Sequence, residues 1–483
     1  MKFSNLKLTT PYLNLESNFY EKVDPTPLHK PFVISTSQSA ARLLGVDEDV
    51  ALDEELLNIV NGNTKLEGSE TFAMCYAGHQ FGEFSGRLGD GRVINLGKVN
   101  GQNLQVKGAG LTLYSRLGDG RAVLRSSIRE YLMSEAMYGL GIETSRALAL
   151  IGSETDVRRE KMEKGAIVLR LSPTWVRFGT FEYFYASGEH DKLKVLADYV
   201  IEESFPYLKG SAKEHNSVYL KMYAEIVKNT ATTLAKWQSV GFNHGVMNTD
   251  NMSIDGRTID YGPFSFLDSY DPSYVCNETD KQGIYSFSNQ AGSARWNLDM
   301  LAKILSPIIE HELAEEVLDD LFWSTYTNVY SQIVYEKMGL QTKQEEDKEL
   351  SEGLFRALAS ADIDYTEFFR KLSRFNGNKS DILDSSVNRK ALDEWLDKYS
   401  MRLEKETLSE AARHEKMLAV NPKYVLKNHS LQEAIEKAEA HDFNMVNDLL
   451  KVALAPFDEH PELEYLCKAT PMASKNINLS CSS

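Results

Sequence analysis

The segment that decides the fold runs from His244 to Gly262 and reads HGVMNTDNMSIDGRTIDYG. At its centre, Asp255-Gly256 is a dipeptide preferred in two-residue β-hairpin turns, and short runs of strand-forming residues flank it. Counting outward from that turn predicts a register in which Met252 faces Ile259. The segment therefore indicates a hairpin whose two ends carry polar residues.

The same count places Asn251 opposite Asp260, so that an amide oxygen and a carboxylate meet at one end of the hairpin. Two hard oxygen ligands suit Mg²⁺ or Mn²⁺ when nucleotide phosphates complete the coordination. Asp250 lies directly beside this pair. An ordinary surface hairpin, in which the Asp and Asn side chains only cap turns, is the alternative that the segment alone leaves open.

Protein kinases arrange an Asn and the Asp of an Asp-Phe-Gly triplet around their metal ions in a similar way, with a catalytic Asp about four or five residues before the Asn. Here Asn251 matches the metal-binding Asn, and Asp260-Tyr261-Gly262 matches the triplet. Val246 occupies the place of the catalytic aspartate. The segment therefore predicts a kinase-like metal site that lacks the ordinary phosphotransfer base.

A lysine and a glutamate upstream extend this pattern. Lys107 ends a predicted strand, and Glu130 lies on a predicted helix over 122–138, as in the kinase pair that holds ATP phosphates. Glu135 is a competing partner on the same helix, and a solvent-facing lysine is the simpler alternative. The strands predicted here cover 92–96, 104–107 and 166–170.

Glycine is concentrated before the helix, with 10 of the 30 glycines between Gly82 and Gly120. The hexapeptide Arg-Leu-Gly-Asp-Gly-Arg occurs twice in this stretch, at 87–92 and 116–121. Backbone N–H groups of such loops bind phosphate, and the guanidinium groups of Arg170 and Arg177 could clamp further phosphate oxygens. Surface ion pairs are the alternative for both arginines.

Composition restricts the possible partners and the location. The 483 residues carry a net charge of −17, which disfavours nucleic acid as a partner. We find no apolar run of the roughly 20 residues that a membrane span needs, and the N-terminal residues do not resemble a targeting signal. Four scattered cysteines without a CxxC pair make a zinc site improbable. We expect a cytoplasmic protein without a membrane or nucleic-acid partner.

The second part of the chain has helical periodicity, predicted over 218–240, 298–305, 313–336 and 431–454. The fold class predicted is therefore α+β, with a strand-rich N-lobe, a helical C-lobe, and N- and C-terminal extensions. We expect residues 1–185 to form the extension and N-lobe with the nucleotide-binding loops. Residues 186–483 would form the C-lobe with the metal and catalytic loop and the C-terminal extension.

Several motifs together resemble the selenoprotein O family. They are YAGHQFG at 76–82, LGDGR at 88–92, KGAGLT at 107–112, YSRLGDGRAVLRSSIRE at 114–130 and NTDNMSI at 248–254. The resemblance covers residues 76 to 304 most strongly. It implies a protein-kinase-like fold that binds ATP in a reversed orientation and transfers AMP to protein Ser, Thr or Tyr hydroxyls, with Mg²⁺ or Mn²⁺ as cofactor.

The resemblance also implies roles for individual residues. Asp250 would be the catalytic base, and Asn251 and Asp260 would bind the metal. The nucleotide would contact Gly89, Gly91, Arg92, Lys107, Asp119, Gly120, Arg170 and Arg177. Three alternatives remain open: Mn²⁺-dependent UMP transfer to proteins, phosphotransfer to a small molecule, and an inactive nucleotide-binding scaffold.

Two cysteines are candidates for a redox pair. Some family members carry selenocysteine near the C-terminus, where this sequence has Cys481, and Cys276 follows Asp260 by 16 residues. Kinase-like folds place a mobile segment at the latter position. A reversible Cys276–Cys481 bridge would tether the tail to the C-lobe, while two unrelated thiols are the simpler alternative.

Overall fold

The computed structural model describes residues 1–210, 215–474, 477 and 479–480. The first part of the chain is rich in strands. They are β1 (Tyr20–Lys22), β2 (Phe32–Thr36), β3 (Phe72–Met74), β4 (His79–Gln80), β5 (Glu83–Phe84), β6 (Val93–Val99), β7 (Gln102–Lys107), β8 (Ala122–Val123), β9 (Arg146–Arg158), β10 (Met162–Ser172), β11 (Phe242–Asn243) and β12 (Ser265–Phe266).

Helices dominate the rest of the chain. They are α1 (Gln38–Arg42), α2 (Leu56–Val60), α3 (Leu124–Gly139), α4 (Phe178–Ala186), α5 (His190–Ser204), α6 (His215–Ser239), α7 (Gln290–Ile304), α8 (His311–Lys337), α9 (Asp347–Ala361), α10 (Tyr365–Leu372), α11 (Ser380–Leu383), α12 (Lys390–Leu403), α13 (Glu410–Val420), α14 (Asn428–Glu439) and α15 (Asn444–Leu454). In the described part of the chain, no helix is both long enough and apolar enough to cross a membrane.

The main sheet is antiparallel and has the strand order β1-β3-β6-β7-β10-β9-β2, with β8 paired to β10. Alternation along β7 gives its two faces different neighbours. Leu104 and Val106 belong to an apolar core shared with the N-terminal segment and α2. Gln105 and Lys107 therefore lie on the opposite face of β7, from which Lys107 reaches Glu130 of α3.

Helix α3 connects the sheet to the helical part of the chain. It contacts β9 and β10 on one side and α14 and α15 on the other. At its last residue, Gly139, a Cβ atom would lie 2.0 Å from the backbone oxygen of Ala453 in α15, so only glycine allows this approach. The helix is thereby fixed between the sheet and the C-terminal helices.

The predicted α+β composition is confirmed: the structure combines an antiparallel sheet with many helices. The single helix expected over 431–454 is wrong, because α14 ends before His441 and α15 begins at Asn444. His441 takes a left-handed conformation with φ of 64°, and the Asp442 carboxylate accepts a hydrogen bond from the Asn444 backbone N–H at 3.1 Å. The chain therefore turns between the two helices, and a second helix begins at Asn444.

The register predicted for the hairpin is also wrong. Met252 pairs with Thr258 instead of Ile259. The Asp255 carboxylate accepts hydrogen bonds from the Ser253 hydroxyl at 2.7 Å and the Arg257 backbone N–H at 3.2 Å, which closes a longer loop than a two-residue turn. Asn251 and Asp260 are therefore not a hairpin pair, and the structure brings them to one site by another route.

Candidate active site

A cavity of about 440 Å³ is lined by both copies of the hexapeptide, β7, α3 and the segment around Asp260. Most of the predicted site residues line it, namely Gly89, Gly91, Arg92, Lys107, Asp119, Gly120, Glu130, Arg177, Asn251 and Asp260. Among the residues that the structure describes, six cationic side chains line the cavity (Arg92, Lys107, Arg116, Arg121, Arg159 and Arg177), against three acidic ones (Asp119, Glu130 and Asp260). The cavity therefore suits an anion, although the whole protein is acidic.

Two glycines allow the loops to approach this closely. Gly89 has φ of +83°, and a Cβ atom there would lie 2.3 Å from Cγ of Tyr114. Gly120 has φ of +70°, and a Cβ atom there would lie 2.2 Å from the backbone oxygen of Gly110. Any side chain at either position would clash and strain the backbone, so the loops depend on glycine.

Lys107 forms the floor of the cavity together with helix α3. Its Nζ atom lies 2.7 Å from Oε2 of Glu130 and 3.4 Å from Oδ1 of Asp260. Burial lowers the pKa of Lys107, and the two carboxylates oppose that change. Glu135, the competing partner on the same helix, instead pairs with Arg146 away from the cavity.

Asp260 is the point at which the cations converge. Its Oδ1 atom lies 2.5 Å from Nη1 of Arg170, and its Oδ2 atom pairs with Arg177. Burial alone would raise the pKa of Asp260, but Arg177, Lys107 and Arg170 outweigh it and hold that pKa well below its ordinary value. Arg170 does not line the cavity; it is fully buried behind Asp260 and also pairs with Glu130 at 2.6 Å.

Asp250 lies in a short 3₁₀ turn, Thr249–Asn251, directly before a cavity-lining residue. Burial raises the pKa of its carboxyl to about 7, although Arg177 opposes this change. A carboxyl group with such a pKa is matched to proton transfer near neutrality. Asp250 itself is not part of the cavity lining, and its backbone oxygen accepts a hydrogen bond from Nη1 of Arg177 at 2.7 Å.

The motif at 76–82 covers the Asp250 turn, a role that the sequence did not indicate. Nε2 of Gln80 lies 3.3 Å and 3.4 Å from the two Asp250 carboxylate oxygens. The His79 backbone N–H donates to the Thr249 hydroxyl at 2.7 Å. A Cβ atom at Gly78 would lie 2.3 Å from Oδ1 of Asp250, so this glycine makes the close contact possible.

Arg159 is a cavity residue that sequence reasoning missed. It follows β9 and binds the Asp119 carboxylate with two nitrogens, at 2.7 Å and 3.0 Å. These hydrogen bonds are the main reason that the pKa of Asp119 lies below its ordinary value. In the sequence, Arg159 stands in a charged run that resembles an ordinary surface turn, so no local signal distinguishes it.

The donor set around the cavity fits a hard divalent cation. Nδ2 of Asn251 donates to the Val246 backbone oxygen at 3.1 Å, which leaves the amide oxygen as a ligand atom. Asp260 supplies a carboxylate held in its charged form. Within the described residues, no group of three or more His, Cys, Asp or Glu side chains could hold a metal. Two protein ligands plus phosphate oxygens and water match the preference of Mg²⁺.

The predicted redox pair joins Cys276, which the structure describes, to a second cysteine near the C-terminus. Cys276 is buried, and its Sγ atom lies 3.5 Å from the Asn243 backbone oxygen. Cys481 lies outside the described residues. The backbone oxygen of Leu479 accepts a hydrogen bond from the Glu278 N–H at 2.8 Å, which places the described end of the tail near the Cys276 segment.

Comparisons with known proteins extend over the whole chain. A family model described as protein adenylyltransferase SelO matches residues 2–453. The chain is 44% identical over 493 residues to the protein nucleotidyltransferase YdiU of Vibrio vulnificus, covering 100% of this chain and 99% of the relative. It is 45% identical over 487 residues to YdiU of Aliivibrio fischeri, with the same coverage. YdiU of Cupriavidus metallidurans is 43% identical over 495 residues, which cover 97% of this chain and 90% of the relative.

Proposed function

The chain belongs to the family of the protein adenylyltransferase SelO and is a protein nucleotidyltransferase, and we propose that it transfers AMP from ATP to Ser, Thr or Tyr hydroxyls of proteins. Pyrophosphate would be the second product. The observation that carries this proposal is the cationic surplus of a cavity that also contains the Asn251 and Asp260 ligand pair. Val246, at the position of the kinase catalytic aspartate, favours nucleotidyl transfer over ordinary phosphotransfer.

The nucleotide phosphates would lie against the cationic lining. Arg92, Lys107 and Arg177 line the cavity with the glycine loops, whose backbone N–H groups can donate to phosphate oxygens. We propose that ATP binds in the reversed orientation, with its α-phosphorus toward the acceptor. In this arrangement the arginines stabilise the negative charge that builds up on the departing pyrophosphate.

Asn251 and Asp260 would hold Mg²⁺ or Mn²⁺, which when bound neutralises phosphate charge during transfer. Within the protein, Arg170 and Arg177 keep Asp260 ionised and fixed in one position. Asn251 is fixed through its amide hydrogen bond to the Val246 backbone oxygen. The ligand atoms are thus held in place by protein groups before a substrate binds.

Asp250 would act as the base. In the proposed step, the acceptor hydroxyl oxygen bonds to the α-phosphorus, the bond from that phosphorus to the pyrophosphate oxygen breaks, and the hydroxyl proton moves to the Asp250 carboxylate. Its pKa of about 7 supports this role, because a base with such a pKa can accept a proton at neutral pH and release it again.

We also propose a two-lobed, protein-kinase-like architecture, with residues 1–185 forming the extension and N-lobe and 186–483 forming the C-lobe and C-terminal extension. The sheet strands β1 to β10 all precede α4, and helices dominate thereafter, which supports this division. The cavity is lined by residues from both parts, from Tyr76 to Arg177 and from Val246 to Pro263. Such an arrangement suits a nucleotide bound between lobes.

Parallel incubation with ATP labelled at the α- or γ-phosphate tests the transfer reaction. We expect protein-bound label from α-labelled ATP only, and labelled pyrophosphate from the γ-labelled sample. Protein label from γ only would restore phosphotransfer, and no label would favour the inactive scaffold. A third incubation with α-labelled UTP and Mn²⁺ tests UMP transfer, which the relatives' general name of nucleotidyltransferase leaves open.

A redox tether between Cys276 and Cys481 stays a prediction. The hydrogen bond between Leu479 and Glu278 supports it, because it holds the described tail beside the Cys276 segment. Peptide mapping of the oxidised protein by mass spectrometry should yield a linked Cys276–Cys481 peptide. Absence of that peptide, or unchanged oxidant sensitivity of AMP transfer in Cys481→Ser, would contradict the tether.

A further inference from the structure

A row of buried polar side chains crosses the sheet from Asp260 to the first glycine-rich loop. In the strand register, Gln105 of β7 lies between Asn95 of β6 and Arg170 of β10. Arg170 reaches Asp260 at one end of the row, and Asn95 reaches Asp90 at the other. We call these five residues the polar row.

Hydrogen bonds connect every neighbour in the polar row. Nη1 of Arg170 lies 2.5 Å from Oδ1 of Asp260, and Nη2 of the same guanidinium donates to Oε1 of Gln105. Nε2 of Gln105 donates to Oδ1 of Asn95 at 3.0 Å, and Nδ2 of Asn95 donates to Oδ2 of Asp90 at 3.1 Å. Gln105, Asn95 and Asp90 are each at most 3% exposed, so water does not compete for these bonds.

Arg170 determines which atom donates and which accepts in every hydrogen bond of the polar row. A guanidinium has only donors, so Gln105 must turn its oxygen toward Arg170 and its nitrogen toward Asn95. Asn95 must then accept with its oxygen and donate with its nitrogen, and the last residue must accept. Asp90 meets that requirement, since its Oδ2 accepts whether or not the carboxyl is protonated. Each amide therefore has one permitted orientation.

Asp90 connects the polar row to the first glycine-rich loop, which we propose binds phosphate. Its Oδ2 also accepts from the Met74 backbone N–H at 2.9 Å, and its own N–H donates to the Met74 oxygen at 2.9 Å. The Thr112 hydroxyl donates to the Asp90 backbone oxygen at 2.7 Å. Gly89 and Gly91, the residues on either side, line the cavity. The Asp90 side chain thereby joins the loop that would cradle the phosphates to the polar row, in addition to the hydrogen bonds that the loop backbone makes.

The sheet itself does not need the polar row. Backbone pairing already joins β6, β7 and β10, and apolar side chains of similar volume would fill these positions without buried polar groups. We propose that Gln105 and Asn95 are positioning residues that fix the glycine loop and the Asp260 carboxylate relative to each other. This proposal rests on the proposed function, because it assigns phosphates to the loop and a metal to Asp260.

Gln105→Leu cuts the polar row while keeping the side-chain volume. Asn421→Leu is the matched control, because Asn421 is equally buried and donates to the Lys337 oxygen and the Ser373 hydroxyl, both at 2.9 Å, among the C-terminal helices. Titration calorimetry with ATP and Mg²⁺ measures affinity without turnover, and steady-state transfer separates KM from kcat. Thermal unfolding of both variants measures how much each substitution lowers the melting temperature.

For Gln105→Leu we expect about tenfold weaker ATP binding and about tenfold more Mg²⁺ for half-maximal activity, with kcat changed less than KM. Asn421→Leu should lose thermal stability and keep both affinities. If ATP affinity in Gln105→Leu stays within about twofold of wild type, the row is only a scaffold and the proposal is wrong. Because calorimetry does not depend on which group is transferred, a failure of AMP transfer in the labelling experiment remains distinguishable.

Asp90→Ala gives a second measurement if Gln105→Leu does not fold. This change removes the Oδ2 atom that accepts from both Asn95 and the Met74 backbone N–H, so the loop loses its side-chain attachment to the polar row. We expect a severalfold rise in KM for ATP. An unchanged KM in folded Asp90→Ala protein would overturn the proposal, because the loop would then be positioned without its link to the polar row.

Discussion

Two glutamates of helix α3, Glu130 and Glu135, have the same chemistry and nearly the same burial, yet their surroundings differ. Glu130 is 3% exposed and Glu135 is fully buried. Both form short ion pairs with an arginine, Arg170 in the first case and Arg146 in the second. Burial and pairing with an arginine therefore do not distinguish these two carboxylates.

Glu135 lies in a closed arrangement. Nε and Nη2 of Arg146 bind its two oxygens at 2.8 Å and 2.7 Å, and the Ala147 backbone N–H and the Ser37 hydroxyl also donate to it. One positive charge meets one negative charge, and the donors occupy both oxygens. Such a group stabilises the junction of α3 with β9 and has no capacity left for a ligand.

Glu130 lies in an open arrangement. Two cations, Lys107 and Arg170, share it, and both also reach Asp260, which pairs with Arg177 as well. Three positive charges thus face two negative ones beside a cavity. The comparison teaches that what separates the two glutamates is charge balance and access to a cavity, and an unbalanced cluster beside a cavity is the better candidate for a functional site.

The largest expected effect concerns Asp260. Asp260→Asn keeps the shape but removes the charge that we propose binds the metal, and we expect AMP transfer to fall by about a thousandfold or more. Transfer of α-label with saturating Mg²⁺ measures this loss. Asp255→Asn is the matched control, because Asp255 stands in the same segment and pairs with Arg257. Near-normal turnover of Asp260→Asn would refute the metal assignment.

Lys107→Met should have the next largest effect. It removes a cation from the cavity floor while keeping the apolar stem, and we expect kcat/KM for ATP to fall by about a hundredfold. Lys98→Met is the control, since Lys98 lies in the neighbouring strand β6 and pairs with Glu203 instead. Equal kinetics in Lys107→Met and Lys98→Met would make Lys107 a bystander.

The paired variants Glu130→Gln and Glu135→Gln test the comparison directly. Glu130→Gln should lower kcat/KM by about tenfold, since Lys107 and Arg170 lose their shared anchor. Glu135→Gln should destabilise the fold by about 3 kcal/mol, because it leaves the Arg146 charge buried without a partner, and the folded enzyme should stay active. Denaturant unfolding and transfer kinetics should separate the two variants. If both variants lost the same property, the open and closed arrangements would not differ in function.

Substitution of Lys337 in α8 should have the smallest effect on activity. Lys337 differs from both glutamates because burial alone shifts its pKa. Its Nζ lies 4.1 Å from the Phe369 ring centroid, and burial lowers its pKa from 10.5 to about 7. Between these values the unfolded chain binds more protons than the folded one, so this group makes stability rise with pH from about 7 to about 10.5.

Lys337→Met should therefore raise the melting temperature by a few degrees at pH 6, and the gain should shrink as the pH approaches 10. Thermal unfolding at several pH values measures this, while AMP transfer at 20 °C should stay unchanged. A gain that grows with pH would contradict the assignment of a charged, buried lysine at low pH.

The sequence predicted the parts of the site that depend on local periodicity. Lys107 on a strand and Glu130 on the next helix follow from alternation and helical spacing, and the structure places them 2.7 Å apart. The hairpin register failed because the side-chain hydrogen bonds of Asp255, which turn statistics do not include, closed a longer loop.

Other features depend on tertiary contacts. Asn95 and Gln105 alternate with apolar neighbours along their strands, a pattern typical of a solvent-facing surface, yet both are buried and hydrogen-bonded within the polar row. Arg159 reaches Asp119 across a distance of 40 residues in sequence. Arg170 is 65 residues from Gln105 and 90 from Asp260 in the sequence. Local sequence patterns do not contain both partners of such contacts, so the complete polar row and the role of Arg159 could not be predicted.

The repeated hexapeptide has a consequence for anyone who engineers this chain. In the first copy the left-handed residue is Gly89, whereas in the second the left-handed residues are Arg116 and Gly120. The aspartates differ as well, since Asp90 is buried in the loop before β6 and Asp119 is exposed and lines the cavity. The same six-residue sequence thus adopts two backbone conformations, and one copy cannot replace the other. A saturation mutagenesis library would return two different tolerance profiles for one string of residues.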